Sequence, residues 1–363
     1  MMEKRAVQIS SGRYYQSSGA LAVFPEEVRI HGDSVLIVAD HRTYPKVRDR
    51  VESALQKAEI RFQIFWFDGF CSPCNYEAAA QAAQRMKASV VAGIGGGRVM
   101  DTAKIASDLS RVRSITIPTS AATCASTALL AVHYSDDGHF LGNYWPAYVP
   151  SATIADLDVI VSDCPTRYNA AGIIDAMAKF PEITYNMRYT KFWSGNLYSR
   201  IACSGAGETY RFLLESGRQV LDKMQSKTCD QQVENAVCAA LSATGLISCL
   251  ASGGKQAAIS HCLYSFFCDC QPDLVRKFLH GELVGASLPY QLMVDGKEEK
   301  HAAELSEFLR KMDLPACLDD LGFRPDSAGL KKLYDYLQRK MPIESSSELE
   351  HLKMFETVLL HGC

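Results

Sequence analysis

The sequence predicts an α/β N-terminal domain followed by an all-α C-terminal domain, and three observations carry that expectation. Short β-branched apolar runs alternate with helix-patterned segments as far as Pro118. Three consecutive glycines sit where one of those strands turns into a helix. Beyond Cys164-Pro165 the pattern is helical nearly to the end. Alternation of this kind argues for a parallel sheet covered on both faces. The chain has 363 residues, more than the roughly 250–300 that one hydrophobic core accommodates. Two domains are therefore expected, 1–162 and 163–363, with the boundary near 160–164.

The elements follow in order. After an N-terminal extended segment, Ser34–Asp40 is a β-branched apolar run, and Pro45–Lys57 has helical spacing. Arg61–Phe67 repeats the strand signal, and Tyr76–Lys87 is alanine-rich helix. Ser89–Ala92 runs into the glycines, Arg98–Leu109 is helix, and Ser114–Pro118 is strand. Asp136-Asp137-Gly138 lies between extended runs, the signature of a hairpin. Farther on, Asn169–Ala178, Lys255–His261 and Val275–Glu282 each read as helix, with breaks at Ser252-Gly253-Gly254, Pro315 and Pro342.

Composition excludes several classes. Apolar residues make up 47% and charged residues 22%, ordinary for a globular chain. Net charge is −3 and no lysine–arginine block stands out. Neither nucleic acid nor an anionic membrane surface is an expected partner. The first ten residues lack the apolar core of a signal peptide. No run is read as approaching the roughly 18 apolar residues of a membrane span. Thirteen scattered cysteines do not form the paired framework of a small secreted domain. Reduced thiols in a cytoplasmic enzyme are expected. Cys71-Ser-Pro-Cys74 has C-x-x-C spacing, but Cys268-Asp-Cys270 does not supply a matching pair, so both read as chance cysteines.

Gly93-Ile-Gly95-Gly96-Gly97-Arg98 carries the first chemical signal. Backbone N–H groups freed by glycine, at a helix N-terminus, suit a diphosphate, as in a Rossmann-like dinucleotide-binding domain. A tight packing turn is the alternative. Arg98 stands where the G-x-G-x-x-G fingerprint would need its last glycine. Asp40 ends a strand, where an acid can accept ribose hydroxyls and repel a 2′-phosphate. His41 and Arg42 could instead welcome that phosphate, and a plain surface acid fits the same position. Asp175, His261 and His280 offer a carboxylate and two imidazoles, three metal ligands with a fourth position open. A helix-cap acid and two hydrogen-bonded histidines would read the same. Nothing local prefers them over His133, His139 or His301.

Gly95-Gly-Gly-Arg-Val-Met-Asp101-Thr-Ala-Lys104 resembles the Gly-Gly-Gly-x-x-x-Asp-x-x-Lys segment of glycerol dehydrogenases. These belong to the superfamily of iron-containing alcohol dehydrogenases and dehydroquinate synthases. The resemblance continues through Phe67-Asp-Gly-Phe-Cys71-Ser and Ile117-Pro-Thr119-Ser-Ala-Ala-Thr. It then takes in Val132–Gly138, Ala170–Lys179 and Phe278–Glu282, in the right order. It implies an N-terminal domain holding NAD, with NADP as the alternative. It also implies a helical domain supplying Asp175, His261 and His280 as the catalytic ligands of zinc, with iron as the alternative. The cofactor contacts it implies are Asp40, Gly95, Gly96, Gly97, Arg98, Asp101, Thr119, Leu130 and Tyr134.

The chain departs from that pattern at three places. Cys124 stands where glycerol dehydrogenases carry an aspartate that binds a polyol hydroxyl, and Ala121–Ala125 resembles instead a subgroup acting on 2-hydroxy and 2-oxo acids. Tyr264 replaces a second family histidine, and Ile174 replaces the glycine before the metal-binding aspartate. The resemblance thus implies an NAD(P)-dependent, metal-assisted oxidoreductase that interconverts a small alcohol or 2-hydroxy acid and its carbonyl form. A glycerol dehydrogenase proper and a dehydroquinate-synthase-type lyase are the alternatives. The lyase would need a cationic pocket, and no lysine–arginine cluster surrounds the ligand helices in the sequence. A 2-His-1-carboxylate iron oxygenase leaves the glycine turn without a role. A small-molecule substrate and a homo-oligomer are expected.

Overall fold

The computed structural model describes residues 8–189, 197–251, 257–294 and 299–340. The chain divides into two compact units, Met1–Asn169 with Asp222–Gly253, and Ala170–Leu221 with Gly254–Cys363. This differs from a single break near 160–164, because residues 222–253 return to the first unit. The returning segment packs by specific bonds. Gln16 donates to the Glu234 carbonyl at 2.8 Å, and Thr127 Oγ1 donates to the Leu241 carbonyl.

Among the described residues the first unit contains eight strands: β1 (Arg13–Ser17), β2 (Ser34–Asp40), β3 (Arg61–Phe67), β4 (Val90–Gly95), β5 (Arg113–Pro118), β6 (Ala131–Tyr134), β7 (Phe140–Tyr144) and β8 (Ala152–Asp156). Six form one sheet in the order β1-β8-β5-β4-β2-β3, with every pairing parallel. Its helices include α1 (Phe24–Arg29), α2 (Arg48–Lys57), α3 (Pro73–Met86) and α4 (Gly97–Leu109). Strand β2 shows why its sequence is continuously apolar. Val35 and Ile37 pack with Val51 and Leu55 of α2, while Leu36 and Val38 pack with Ala79 of α3 and Ala103 of α4. A strand covered on both faces has no polar side to present.

Strand order fixes where a ligand can sit. From β2 the chain steps outward to β3, then returns to place β4 on the other side of β2. Ligands of open α/β sheets bind at the carboxyl ends of strands where the winding reverses. Ala39 lies opposite Ile94 in register, so Asp40 and Gly95 end neighbouring strands at that point.

Two strands escape the sequence reading. β1 reads only as extended, and β8, Ala-Thr-Ile-Ala-Asp, is too short and alanine-rich to signal a strand, although all five residues are buried. The hairpin β6–β7 is antiparallel as expected, with an irregular register at His133/Tyr134 and Gly138 at φ 95°. The membrane expectation also needs correction. Residues Gln231–Leu250 form one helical run long and apolar enough to cross a bilayer. Most of it is buried inside the protein, which is why it is apolar.

A buried ion pair ties α4 to the hairpin. Lys104, with a side chain 0% exposed, lies 2.8 Å from Asp101 and donates to the carbonyls of Ala128 (3.2 Å) and Leu130 (2.5 Å). The other Asp101 oxygen accepts the Val132 N–H at 3.1 Å. Burial pushes the Asp101 carboxyl up, and Lys104 and Val132 pull it only part of the way back.

In the second unit the long helices are α5 (Thr166–Tyr189) and α6 (Leu197–Gln225), which both continue from or into the first unit. The first unit's returning segment holds α7 (Gln231–Cys238) and α8 (Thr244–Leu250), and the second unit continues with α9 (Ile259–Cys270), α10 (Pro272–Lys277), α11 (His280–Val294), α12 (Glu299–Lys311) and α13 (Ser327–Lys340). The expected helix Lys255–His261 begins only at Ile259; Lys255 and Gln256, like Ser252–Gly254 and Pro342, lie outside the described residues. The expected helix Val275–Glu282 is two. Phe278 is extended (φ −112°, ψ 149°), and a new helix starts at His280. Glu282 reaches back to accept the Leu279 N–H at 2.8 Å, as the acid of a capping box does.

Helix α11 crosses α5 without room for side chains. A Cβ on Gly281 would stand 1.9 Å from the Ala171 carbonyl oxygen, and one on Gly285 would stand 2.6 Å from Ile174 Cγ2. Gly285 therefore makes the space that Ile174 fills.

The first prediction concerns the ion pair. Lys104→Met should strand the Asp101 carboxyl in the interior and cost about 3–5 kcal/mol. Urea unfolding of the single variant and of the Asp101→Asn/Lys104→Met double variant measures this. The double variant should recover a large part of the loss; a single variant as stable as the parent would show the pair holds nothing.

Candidate functional site

One helix face builds the candidate metal centre. Asp175, Lys179, Glu182 and Asn186 follow one another at spacings of four, three and four along α5, so they share a face. All four are buried, on a helix whose other buried residues are mostly Ala, Ile and Met. Such a polar stripe needs partners inside the unit. Glu182 accepts the N–H groups of Ala258 (3.0 Å) and His261 (2.9 Å), and Asn186 donates to the Ala257 carbonyl at 3.1 Å. From α11, Gln291 accepts the Ser260 N–H at 3.0 Å. Glu182 and Gln291 thus satisfy N–H groups that the first turn of α9 would otherwise leave unpaired.

That capping delivers His261. The other Glu182 oxygen meets His261 Nδ1 at 2.5 Å, which leaves Nε2 to face Asp175 at 3.4 Å. His280, at the start of α11, brings its own Nε2 to 3.2 Å from the same Asp175 oxygen. Ligand atoms of Asp175, His261 and His280 all lie within 4.8 Å of one another. Ligands about 2.1 Å from a tetrahedral ion stand roughly 3.4 Å apart, which two of the three separations match. The donor set suits a divalent cation. Burial pushes the Asp175 carboxyl up, but His280, Lys179 and the His261 hydrogen bond outweigh it and hold the group well below the usual range. Burial likewise raises Glu182, and His261 brings it below. Tyr264 sets its ring edge-on to His280, with centroids 4.2 Å apart and planes at 85°.

The glycine turn is the second candidate site. Gly93 and Gly95 are glycines for packing: a Cβ would stand 2.8 Å from Ala103 Cβ or 2.9 Å from Val99 Cγ2. Gly96 is different. Nothing lies within 4 Å of where its Cβ would be, its φ of −79° suits any residue, and no side chain caps α4 there. A bare helix N-terminus beside an open glycine has the form of a phosphate cradle. Thr123 Oγ1 would stand 3.2 Å from a Gly97 Cβ, so the loop bearing Cys124 passes over the turn. Thr119 donates its N–H to the Gly95 carbonyl at 3.1 Å.

The other expected contacts divide. Arg98 is exposed at the head of α4, its guanidinium 4.3 Å over the Phe70 ring, and Phe70 also meets the Tyr134 ring at 5.7 Å. Asp101 and the Leu130 carbonyl are engaged with Lys104 in the interior, where they shape the loop. Asp40 accepts the N–H groups of Arg42 and Thr43 and the Thr43 hydroxyl, each at 2.8 Å. A carboxylate has about four acceptor positions, so little of Asp40 is left for a ribose. Cys71 is fully buried and its thiol is pushed up to about 12, far from a reactive thiolate. Sequence reasoning missed Lys179 and Glu182; their spacing from Asp175 is the signal that could have found them.

Residues 11–157 match the sequence model of the iron-containing alcohol dehydrogenases. The chain is 30% identical to a glycerol dehydrogenase of Thermotoga maritima over 318 residues, 86% of this chain and 84% of that protein. It is 28% identical to hydroxycarboxylate dehydrogenase A of Escherichia coli over 262 residues, 70% of this chain and 68% of that protein. The crystal structure of glycerol dehydrogenase from Schizosaccharomyces pombe superposes with a TM-score of 0.83 at 22% identity, covering 99% of this chain and 92% of that one. With similarity running through both units at once, the chain belongs to the iron-containing alcohol dehydrogenase family, as a glycerol dehydrogenase-like oxidoreductase.

Proposed function

We propose that this enzyme interconverts a small 2-hydroxy acid and its 2-oxo form, with NAD as hydride acceptor and one zinc ion per chain. The convergence of Asp175, His261 and His280 carries the reading. A divalent ion held there supplies Lewis acidity, which lowers the pKa of a substrate hydroxyl. Nicotinamide supplies the hydride chemistry.

The chain's own residues do the rest. Glu182 holds His261 by Nδ1, so the Nε2 lone pair stays available to the ion. Tyr264 packs against His280 and restricts its ring. The open turn at Gly96 and the uncapped head of α4 receive the diphosphate. Cys124 takes the position where glycerol dehydrogenases present a carboxylate, so an acidic substrate meets no like charge from it. Among the described residues no two cysteines form a disulfide, which supports a reducing, cytoplasmic setting. We extend the proposal to a homo-oligomer.

Three measurements test the reading. Elemental analysis should find close to one zinc per chain, and His280→Ala should lose both metal and turnover while keeping the fold, as circular dichroism reports. Full activity in metal-free protein would sink the proposal. NAD should be preferred over NADP because Asp40 disfavours an added phosphate, and Asp40→Gly should narrow that preference. A parent enzyme that prefers NADPH would transfer the decision to Arg42. Glycerol should be a weak substrate, since a thiol forfeits a charge-assisted hydrogen bond of about 1.5–3 kcal/mol. Cys124→Asp should raise glycerol kcat/KM roughly ten- to a hundredfold; efficient glycerol oxidation that this change leaves unaltered would refute the role of Cys124.

A further inference from the structure

We infer that Phe70 is a positioning residue for cofactor binding: its ring seats Arg98 so that the guanidinium meets the diphosphate with its charge uncancelled. The inference rests on the reading of the Gly96 turn as the diphosphate cradle. Arg98 is the second residue of α4, and a helical side chain leans toward the N-terminus of its helix. Its Nη1 donates to the Gly69 carbonyl at 3.4 Å, and its guanidinium carbon lies 4.3 Å from the centre of the Phe70 ring. Gly69 lies just past the end of β3, and Gly95 ends β4. Both strands run parallel to β2 between them, so both residues lie at the carboxyl ends of the sheet. The guanidinium is thereby held on the same side as the glycine turn. The seat is fixed in its turn by the hairpin. Phe70 meets the Tyr134 ring, and Gly138 passes so close that a Cβ there would stand 2.5 Å from Phe70 Cζ.

The chemistry of that seat decides the charge of the site. An aromatic face attracts a guanidinium through its quadrupole and leaves the full positive charge in place. A carboxylate at the same position would hold the group equally well but neutralise it. Among the described residues no carboxylate pairs with Arg98. The first turn of α4 carries no acid, and no side chain caps it, although a helix N-terminus favours negative charge. A cation therefore stands where the helix dipole already disfavours it. An incoming diphosphate answers the dipole and the guanidinium together.

Calorimetric titration of the zinc-loaded full chain with NAD, at low and high salt, tests this. Phe70→Leu removes the ring face and should weaken NAD binding about two- to fivefold. Phe70→Glu gives Arg98 a carboxylate partner and should weaken it about tenfold or more. Phe70→Tyr keeps the face and should bind NAD as the parent does. The loss of affinity with added salt should be shallower in Phe70→Glu than in the parent, because the site has lost its net charge. In an Arg98→Gln background, Phe70→Leu should have no further effect. Equal weakening by Phe70→Leu with and without Arg98 would mark the ring as structural and overturn the inference. NAD affinity indifferent to all three Phe70 substitutions would overturn it as well, while leaving the glycine turn as the cofactor site. If Phe70→Leu fails to fold, the affinities and salt dependences of Phe70→Tyr and Phe70→Glu still decide. A parent that binds neither NAD nor NADP would overturn the reading of the glycine turn itself.

Discussion

The second unit depends on how closely α11 approaches α5. With Gly281 against the Ala171 carbonyl and Gly285 against Ile174, the two backbones meet where no side chain can stand between them. His280 immediately precedes the first of these contacts, and Asp175 immediately follows the residue at the second. The spacing of the two donors is therefore a property of backbone packing. Interiors packed this tightly transmit displacement instead of absorbing it, so an added methyl group at Gly281 would reach the centre through the helix. Where the family pattern has glycine before the aspartate, this chain has Ile174 on α5 and a compensating glycine on α11.

Polar groups inside the unit serve two purposes at once. Glu182 caps the start of α9 and orients His261, so a single carboxylate links helix termination to donor geometry. Gln291 does the first of these jobs from α11. In the first unit the Asp101–Lys104 pair has the corresponding place, joining α4 to the carbonyls of the loop before β6. Two residues that the family resemblance implied as cofactor contacts, Asp101 and Leu130, are thus anchored from the protein side.

Much of this was legible in the residues, and the rest was not for physical reasons. Strands β2, β3 and β5 announce themselves because burial on both faces, or at an edge, leaves a plain apolar or alternating run. β8 does not, since two of its five residues are alanine and its burial comes from neighbours distant in sequence. Asp175, His261 and His280 could be listed from composition but not selected by it; the resemblance selected them, and their separations agree with a shared ion. Lys179 and Glu182 were visible only as a spacing on one helix, which gains meaning once α9 is seen to begin against it. Cys71 and Cys74 had motif spacing, and burial of Cys71 removes the chemistry that spacing suggested.

The return of residues 222–253 to the first unit has a consequence for how the protein is made. A chain emerging from the ribosome presents the parallel sheet early, by about residue 157, yet the bonds from Gln16 and Thr127 reach residues 218 and 114 positions farther along the chain. Domains tend to fold as units during synthesis, N-terminal first. Here the N-terminal unit must wait, with an apolar face uncovered, while the intervening helices are translated. Such an interval favours capture by a chaperone, and synthesis halted between residues 160 and 220 should yield a sheet prone to aggregate.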